Sequence, residues 1–320
     1  MRTRQLLLPS LLAAAALALS ACTSSGADPA DEQSTADAVT FTHPTLDDLE
    51  IDFEGQPDVL VMDCYAYSSL HEYGVEPDAL FGFDCENPFV MGDIDISGIE
   101  RIGQDGEIDV EKLAALRPDA IIGQGGAEGW SWFDESVNSQ LTRVAPFIPL
   151  PDGETVDEEI DATRDIAGFL GGDIDSEAVM QADEDLETAK EDLRSALEGE
   201  EVSIMLASPT KEMLYTAVGF QQSALLEEAG ATIVGGEPPA EGNPWGQVAW
   251  EEASSYPADV ILLEGYGEDW SFTADLWEEL PAVQADQLGS WGSKGAMTSR
   301  AYADWLTEVT ALVESADDVA

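Results

Sequence analysis

Short runs of consecutive apolar residues alternate along the chain with stretches whose apolar residues recur every three or four positions. The clearest case is residues 108–123, IDVEKLAALRPDAIIG. Asp109 can cap a helix, and Glu111 falls in its first turn, where a carboxylate favours the helix dipole. Leu113, Leu116 and the alanines line one face. Pro118 pushes the residue before it out of the α region and stops the helix. Residues 120–122 then form a strand that a glycine ends. The same grammar returns at residues 250–265, WEEASSYPADVILLEG. Two helix–Pro–Asp–strand units at corresponding places predict two similar α/β lobes.

The remaining pattern fits this frame. Strands are expected at residues 59–62, 79–83, 99–103, 120–122 and 145–150. A loop with aromatics and a short helix to about Tyr73 follow the first of these, and a helix spans residues 137–141. Strands alternating with helices argue for a parallel sheet covered on both faces. Residues 155–197 read as nearly continuous helix, broken only at GGDIDS, residues 171–176. Ile160, Thr163, Ile166, Ala167 and Leu170 keep helical spacing, and Glu187 with Lys190 and Glu191 with Arg194 are spaced for i,i+3 pairs. Such a segment makes a stiff connector. A second lobe opens with a strand at 202–207, continues through a loop (SPTKEMLYTAVGF), a helix at 223–229 and a short strand (GATIV), and closes with a helix over 299–315. The expected organisation is an N-terminal lobe over 51–154, a connector over 155–199 and a C-terminal lobe over 200–320.

The first residues, MRTRQLLLPSLLAAAALALSAC, pair a positive start with an apolar core too short to span a bilayer. They read as an export signal, residues 1–21. Its end, Leu19-Ser20-Ala21-Cys22, resembles a bacterial lipobox, which implies that Cys22 is diacylated and becomes the mature first residue. Residues 22–50 read as a disordered tether. Composition then narrows the partners. The chain has 66 acidic against 12 basic residues and a formal net charge of −54, and loss of Arg2 and Arg4 with the signal makes the mature protein still more negative. Such a surface repels nucleic acid and anionic lipid, so the membrane is met through the lipid anchor only. Cys64 and Cys85 each end an apolar run. If those runs are neighbouring parallel strands, both thiols lie at one sheet edge, within reach of a disulfide. Two free thiols or a metal-binding pair are the alternatives.

The motifs LAALRPDAII, YPADVILLE and WEELPAVQADQL, in the order lipobox, lobe, helix, lobe, resemble the substrate-binding lipoproteins of ABC importers for ferric siderophores, haem and cobalamin. The resemblance spans most of residues 59–313. It implies two Rossmann-like lobes joined by a long rigid α-helix, with the ligand in the cleft at the strand carboxyl ends. It also implies a monomeric, non-catalytic receptor that serves a permease dimer driven by a cytoplasmic ATPase. A carboxylate on each lobe docks on the permease in that family, and the matching positions here are Glu111 and Glu251.

The ligand class follows from which side chains the loops offer. A multiply anionic chelate needs several converging Arg or Lys. Lys112, Arg117, Arg164, Lys190 and Arg194 fall in expected helices and read as solvated. That leaves Arg101, Arg143, Lys211, Lys294 and Arg300, and of these Arg101 and Lys211 are taken as ligand contacts. The loops are instead rich in aromatics: Tyr65, Tyr67, Trp130, Trp132, Tyr215, Trp245 and Tyr266, with Trp270 and Trp291 as weaker choices. Tyr65 and Trp130 lead, because each follows a strand end. Aromatic walls suit a neutral or cationic, partly apolar ligand, and a ferric hydroxamate fits best, with haem or cobalamin as the family's other options. Iron stays within the chelator, so no cofactor or protein metal site is expected. With only His43, in the expected tether, and His71, the chain lacks the histidines that a zinc or manganese receptor uses. A secreted hydrolase working through paired carboxylates is the reading from another class, and a purely structural cell-wall lipoprotein is a third.

Overall fold

Two Pro–Asp junctions and one Pro–Ala–Asp junction, Pro257 to Asp259, set the two sheets of the protein, whose computed structural model describes residues 38–240, 242–265 and 276–320. Each proline ends a preceding segment, and the Asp after it turns its carboxylate to the start of the neighbouring strand. Asp78 Oδ2 accepts from Leu60 N at 2.9 Å, and Asp119 Oδ2 from Asp58 N and Val59 N at 3.0 and 2.9 Å. In the second lobe Asp259 Oδ2 accepts from Ser203 N and Ser203 Oγ at 2.9 and 2.7 Å. Edge-of-strand amides that would otherwise lack partners are thereby satisfied.

In the first lobe the strands run Phe147–Pro149, Ala120–Gly123, Leu60–Asp63, Ala79–Phe81, Glu100–Arg101, every pair parallel. The second sheet is mixed. Val260–Glu264, Leu288–Trp291 and the short Thr232–Ile233 extend Ser203–Pro209 in parallel, but Leu214–Thr216 and Gly246–Val248 join it antiparallel. The expected similarity of the two lobes stops at the stretch read as a loop. There Thr210 closes a tight turn, its amide donating to Met213 O at 2.9 Å and its hydroxyl accepting from Met213 N at 3.1 Å. The second helix–Pro–Asp unit also differs: Trp250–Ser255 is a 3-10 helix with no side-chain cap, consistent with six residues and two serines being too little for a stable α-helix.

The tether expected over residues 22–50 does not extend that far. Val39–Thr42 pairs antiparallel with Glu50–Phe53, and the buried Phe41 and Phe53 rings pack 4.7 and 5.4 Å from that of Phe169. His43 is buried with them. Its Nδ1 accepts from Leu46 N at 3.0 Å, so Nε2 carries the proton it donates to Pro149 O at 2.9 Å.

The connector is two helices, Val156–Phe169 and Glu177–Leu197, capped by Thr155 and Ser176. Gly171, at φ +88°, makes the left-handed turn between them. Val156 and Ile160 pack in the second lobe's core, while Ile166, Ala167 and Leu170 pack in the first lobe's. The second helix runs back, with Val179 in the first core and Leu186, Ala189, Leu193 and Leu197 in the second. Lys190 joins the pair, 2.6 Å from Asp157 and 2.9 Å from Glu187. Arg164 does the same 2.5 Å from Asp183. Both cations, expected to be solvated, are instead drawn in by carboxylates of the facing helix. The closing helix Ser299–Ser315 packs along Glu177–Leu197. Among the described residues no helix is long and apolar enough to cross a membrane.

Candidate functional site

The first lobe's cleft wall is organised by one buried carboxylate. Asp63 ends the strand Leu60–Asp63 and caps the helix Cys64–Leu70, Oδ1 accepting from Ala66 N at 2.7 Å. Its Oδ2 accepts from Gln124 N and from Trp130 Nε1, both at 2.7 Å. The approach is so close that a Cβ at Gly123 would lie 2.7 Å from Oδ2. Burial raises the Asp63 pKa to about 6 against the opposing pull of these N–H donors.

The locked Trp130 forms the floor of an aromatic group. It stacks on Phe83 with centroids 5.5 Å apart, and Trp132 lies against it at 4.9 Å. Trp132 is 38% exposed. Tyr65 approaches it at 6.1 Å and donates its hydroxyl to Asp84 Oδ2. Lys294 reaches over from the second lobe, its Nζ 5.0 Å from the Trp132 centroid and 5.7 Å from that of Tyr65. A backbone-to-side-chain hydrogen bond joins the lobes beside it, Met297 N donating to Ser69 Oγ at 3.1 Å. A cavity of about 340 Å³ lies here, lined by Tyr65, Trp132, Gln124, Asp152, Glu159 and Met297 among others. Glu159 stands on the first connector helix and accepts from Gln221 Nε2 of the second lobe. Burial, aided by the nearby charge of Asp152, raises its pKa to about 7.

Of the ligand contacts expected from sequence, Tyr65 and Trp132 meet at this cavity. Trp130 and Tyr67 lie behind them in the core. Trp130 is 1% exposed because Asp63 holds its indole, and Tyr67 turns inward to donate to Glu76 Oε2 at 2.5 Å. The segment read as an aromatic loop is helical from Cys64, which explains why both tyrosines are buried. Arg101 sits on the far edge strand, its guanidinium donating to Gly103 O at 3.1 Å. Lys211 is exposed on the turn of residues 210–213. Tyr215 and Trp245 form a second-lobe group, 6.2 Å apart, with Trp245 packed on Phe220 and on the buried Trp291. Tyr266 and Trp270 lie outside the described residues. Cys64 and Cys85 form a disulfide, Cα to Cα 5.1 Å, at the carboxyl ends of adjacent strands. Sequence reasoning passed over Gln124, Asp152 and Glu159, and it ranked Lys294 behind Arg101 and Lys211. The signal for Lys294 was available: it follows the strand Leu288–Trp291 as Tyr65 follows Leu60–Asp63.

Residues 87–294 match the sequence model of the periplasmic binding protein family, and the chain belongs to that family. It is therefore a solute-binding protein rather than an enzyme. Its fold is that of several solved siderophore-binding proteins. DesE of Streptomyces coelicolor, a ferric-siderophore receptor, superposes with a TM-score of 0.77 at 21% identity, over 88% of this chain and 99% of its own. FhuD of Vibrio cholerae, bound to Fe3+-Desferal, gives 0.61 at 18% identity over 82% and 99%. FeuA of Bacillus subtilis, a triscatecholate siderophore binding protein complexed with ferri-bacillibactin, gives 0.65 at 15% identity over 86% and 98%. No curated protein sequence matches the chain.

Proposed function

We propose that the protein captures a ferric siderophore of the hydroxamate type between its lobes and delivers it to an ABC permease dimer, held to the outer face of the cell membrane by a diacylated Cys22. The observation that carries the ligand class is the crossing of Lys294 over Tyr65 and Trp132. A single cation spread over two ring faces is a weak anchor for a multiply anionic catecholate, which is bound by several converging guanidinium or ammonium groups. The other cations close to the connector are already engaged, Arg164 by Asp183, Lys190 by Asp157 and Arg300 by Asp185. Aromatic faces, Gln124 and Ser69 instead suit a compact neutral or cationic chelate. The iron remains within its chelator.

Titration of the soluble body with ferrioxamine B, ferrichrome, ferric enterobactin, haem and cobalamin, followed by tryptophan fluorescence, tests this. The hydroxamates are expected to quench, and Trp132→Leu to weaken their binding about tenfold through loss of the ring face. Quenching by the catecholate alone would overturn the ligand class. The membrane partner is tested separately. Glu111 and Glu251 are exposed, each in the first turn of its helical element. Charge reversal at both is expected to cut uptake about tenfold or more while leaving ligand affinity unchanged, as loss of charge pairs at a docking surface would. Uptake at the wild-type rate would remove their docking role.

A further inference from the structure

A second cavity, of about 490 Å³, abuts the first, since Gly295 lines both. Its first-lobe wall is the short helix Pro88–Met91 with Ile94, and its second-lobe wall is the start of Ser299–Ser315 with Tyr302 and Trp305. The wall is closely fitted. Phe89 is wedged between two glycines of the second lobe: a Cβ at Gly265 would lie 2.1 Å from its ring, and one at Gly292 2.8 Å. Trp305 donates its indole N–H to Ser290 O at 2.9 Å, which leaves its faces as apolar wall.

Three of the polar side chains at this cavity offer acceptors. Gln222, 3% exposed, donates from Nε2 to Tyr302 Oη at 3.1 Å and to Gly292 O at 3.3 Å, while its Oε1 has no hydrogen-bond partner among the described residues. A buried acceptor in that condition destabilises the protein unless a ligand or water satisfies it. Asp304 and Glu308 add two exposed carboxylates, one turn apart on the same helix face. Among the described residues neither is hydrogen-bonded or salt-bridged; the nearby Arg300 is held 2.5 Å from Asp185 and feels the charge of Asp304 from a distance. No Lys or Arg is among the lining residues.

An aromatic and aliphatic body, a buried acceptor and two carboxylates are together complementary to a primary ammonium on a short apolar chain. The ammonium supplies three donors and no acceptor, and its methylenes match Phe89, Met91, Ile94 and Trp305. We propose that this cavity binds a primary alkylammonium group. Resting on the siderophore reading above, we assign its occupant as the ammonium arm of a cargo whose chelate lies in the adjoining cavity.

The test compares n-hexylammonium with 1-hexanol by ligand-observed NMR, and ferrioxamine B with its N-acetylated, uncharged form by fluorescence, on the wild type and on Asp304→Asn/Glu308→Gln. The exposed position of both carboxylates makes that variant a safe one for folding. Hexylammonium is expected to bind about tenfold more tightly than hexanol, and the charged ferrioxamine about tenfold more tightly than the acetylated one, with both preferences lost in the variant. Gln222→Leu is expected to weaken hexylammonium and spare hexanol. Equal binding of amine and alcohol overturns the site even if both ferrioxamines bind. Preference for the amine with no binding of either ferrioxamine upholds the site and overturns its assignment to a ferrioxamine-type cargo, while binding of ferrichrome in the titration above decides the siderophore reading separately. Amine preference with equal ferrioxamine affinities upholds the site for free amines and overturns its assignment to the cargo.

Discussion

Replacing Asp63 with alanine is expected to lower stability by about 4 kcal/mol, because three buried donors lose their acceptor at once and each costs about 1–3 kcal/mol before relaxation. The donors are Ala66 N, Gln124 N and Trp130 Nε1. Their loss uncaps the helix Cys64–Leu70, frees the loop after Ala120–Gly123 and releases the indole on which Trp132 rests. Asp63→Asn should fall between the two, since Oδ1 still caps the helix while an amide NH2 replaces the oxygen that serves Gln124 and Trp130. Urea unfolding of the three proteins measures this. A loss below about 1 kcal/mol for the alanine variant would show that the carboxylate is not what holds these elements together.

The same carboxyl, with that of Glu159, is expected to make the protein more stable in mild acid than at neutral pH. Their pKa values are raised to about 6 and about 7 by burial, above the values near 4 of an unfolded chain. Between those limits the folded protein holds protons that the unfolded chain has released. The stability these groups contribute is therefore full below about pH 4 and is lost as pH rises through 6 and then 7. From pH 8 to pH 5 the gain is on the order of 3 kcal/mol. Relief of repulsion in a chain of formal net charge −54 acts in the same direction. Urea midpoints at pH 5, 6.5 and 8 test it, with Glu159→Gln expected to flatten the upper half of the profile. A midpoint that stays level or drops on acidification would contradict it.

These two carboxyls also mark where sequence reading stops. What could be read locally was read well. The helix Ser299–Ser315 declares itself by period and cap, the Pro–Asp junctions announce strand starts, and the ends of two apolar runs brought Cys64 and Cys85 to one sheet edge. The N-terminal strand Val39–Thr42 was hidden because four residues of alternating pattern in a polar stretch look like tether. The choice between Trp130 and Trp132 was hidden for a different reason. They lie two positions apart in one loop, and an aspartate 67 residues earlier decides which is swallowed. Lys294 gains its meaning only from rings on the opposite lobe. Local spacing specifies elements, whereas a site assembled from strand ends depends on the order of strands in the sheet.

The helix pair that links the lobes has a further consequence. Since Val156 and Ile160 complete one apolar interior and Ile166 and Ala167 the other, and the returning helix repeats this in reverse, each half needs the connector to finish the core on one face of its sheet, while the core on the other face is its own. A chain severed between them would leave each fragment with a bare greasy groove where the missing helix turns had lain. The two halves are therefore expected to melt together, and the distance between their facing walls is inherited from the length of two helices rather than set by a flexible strap.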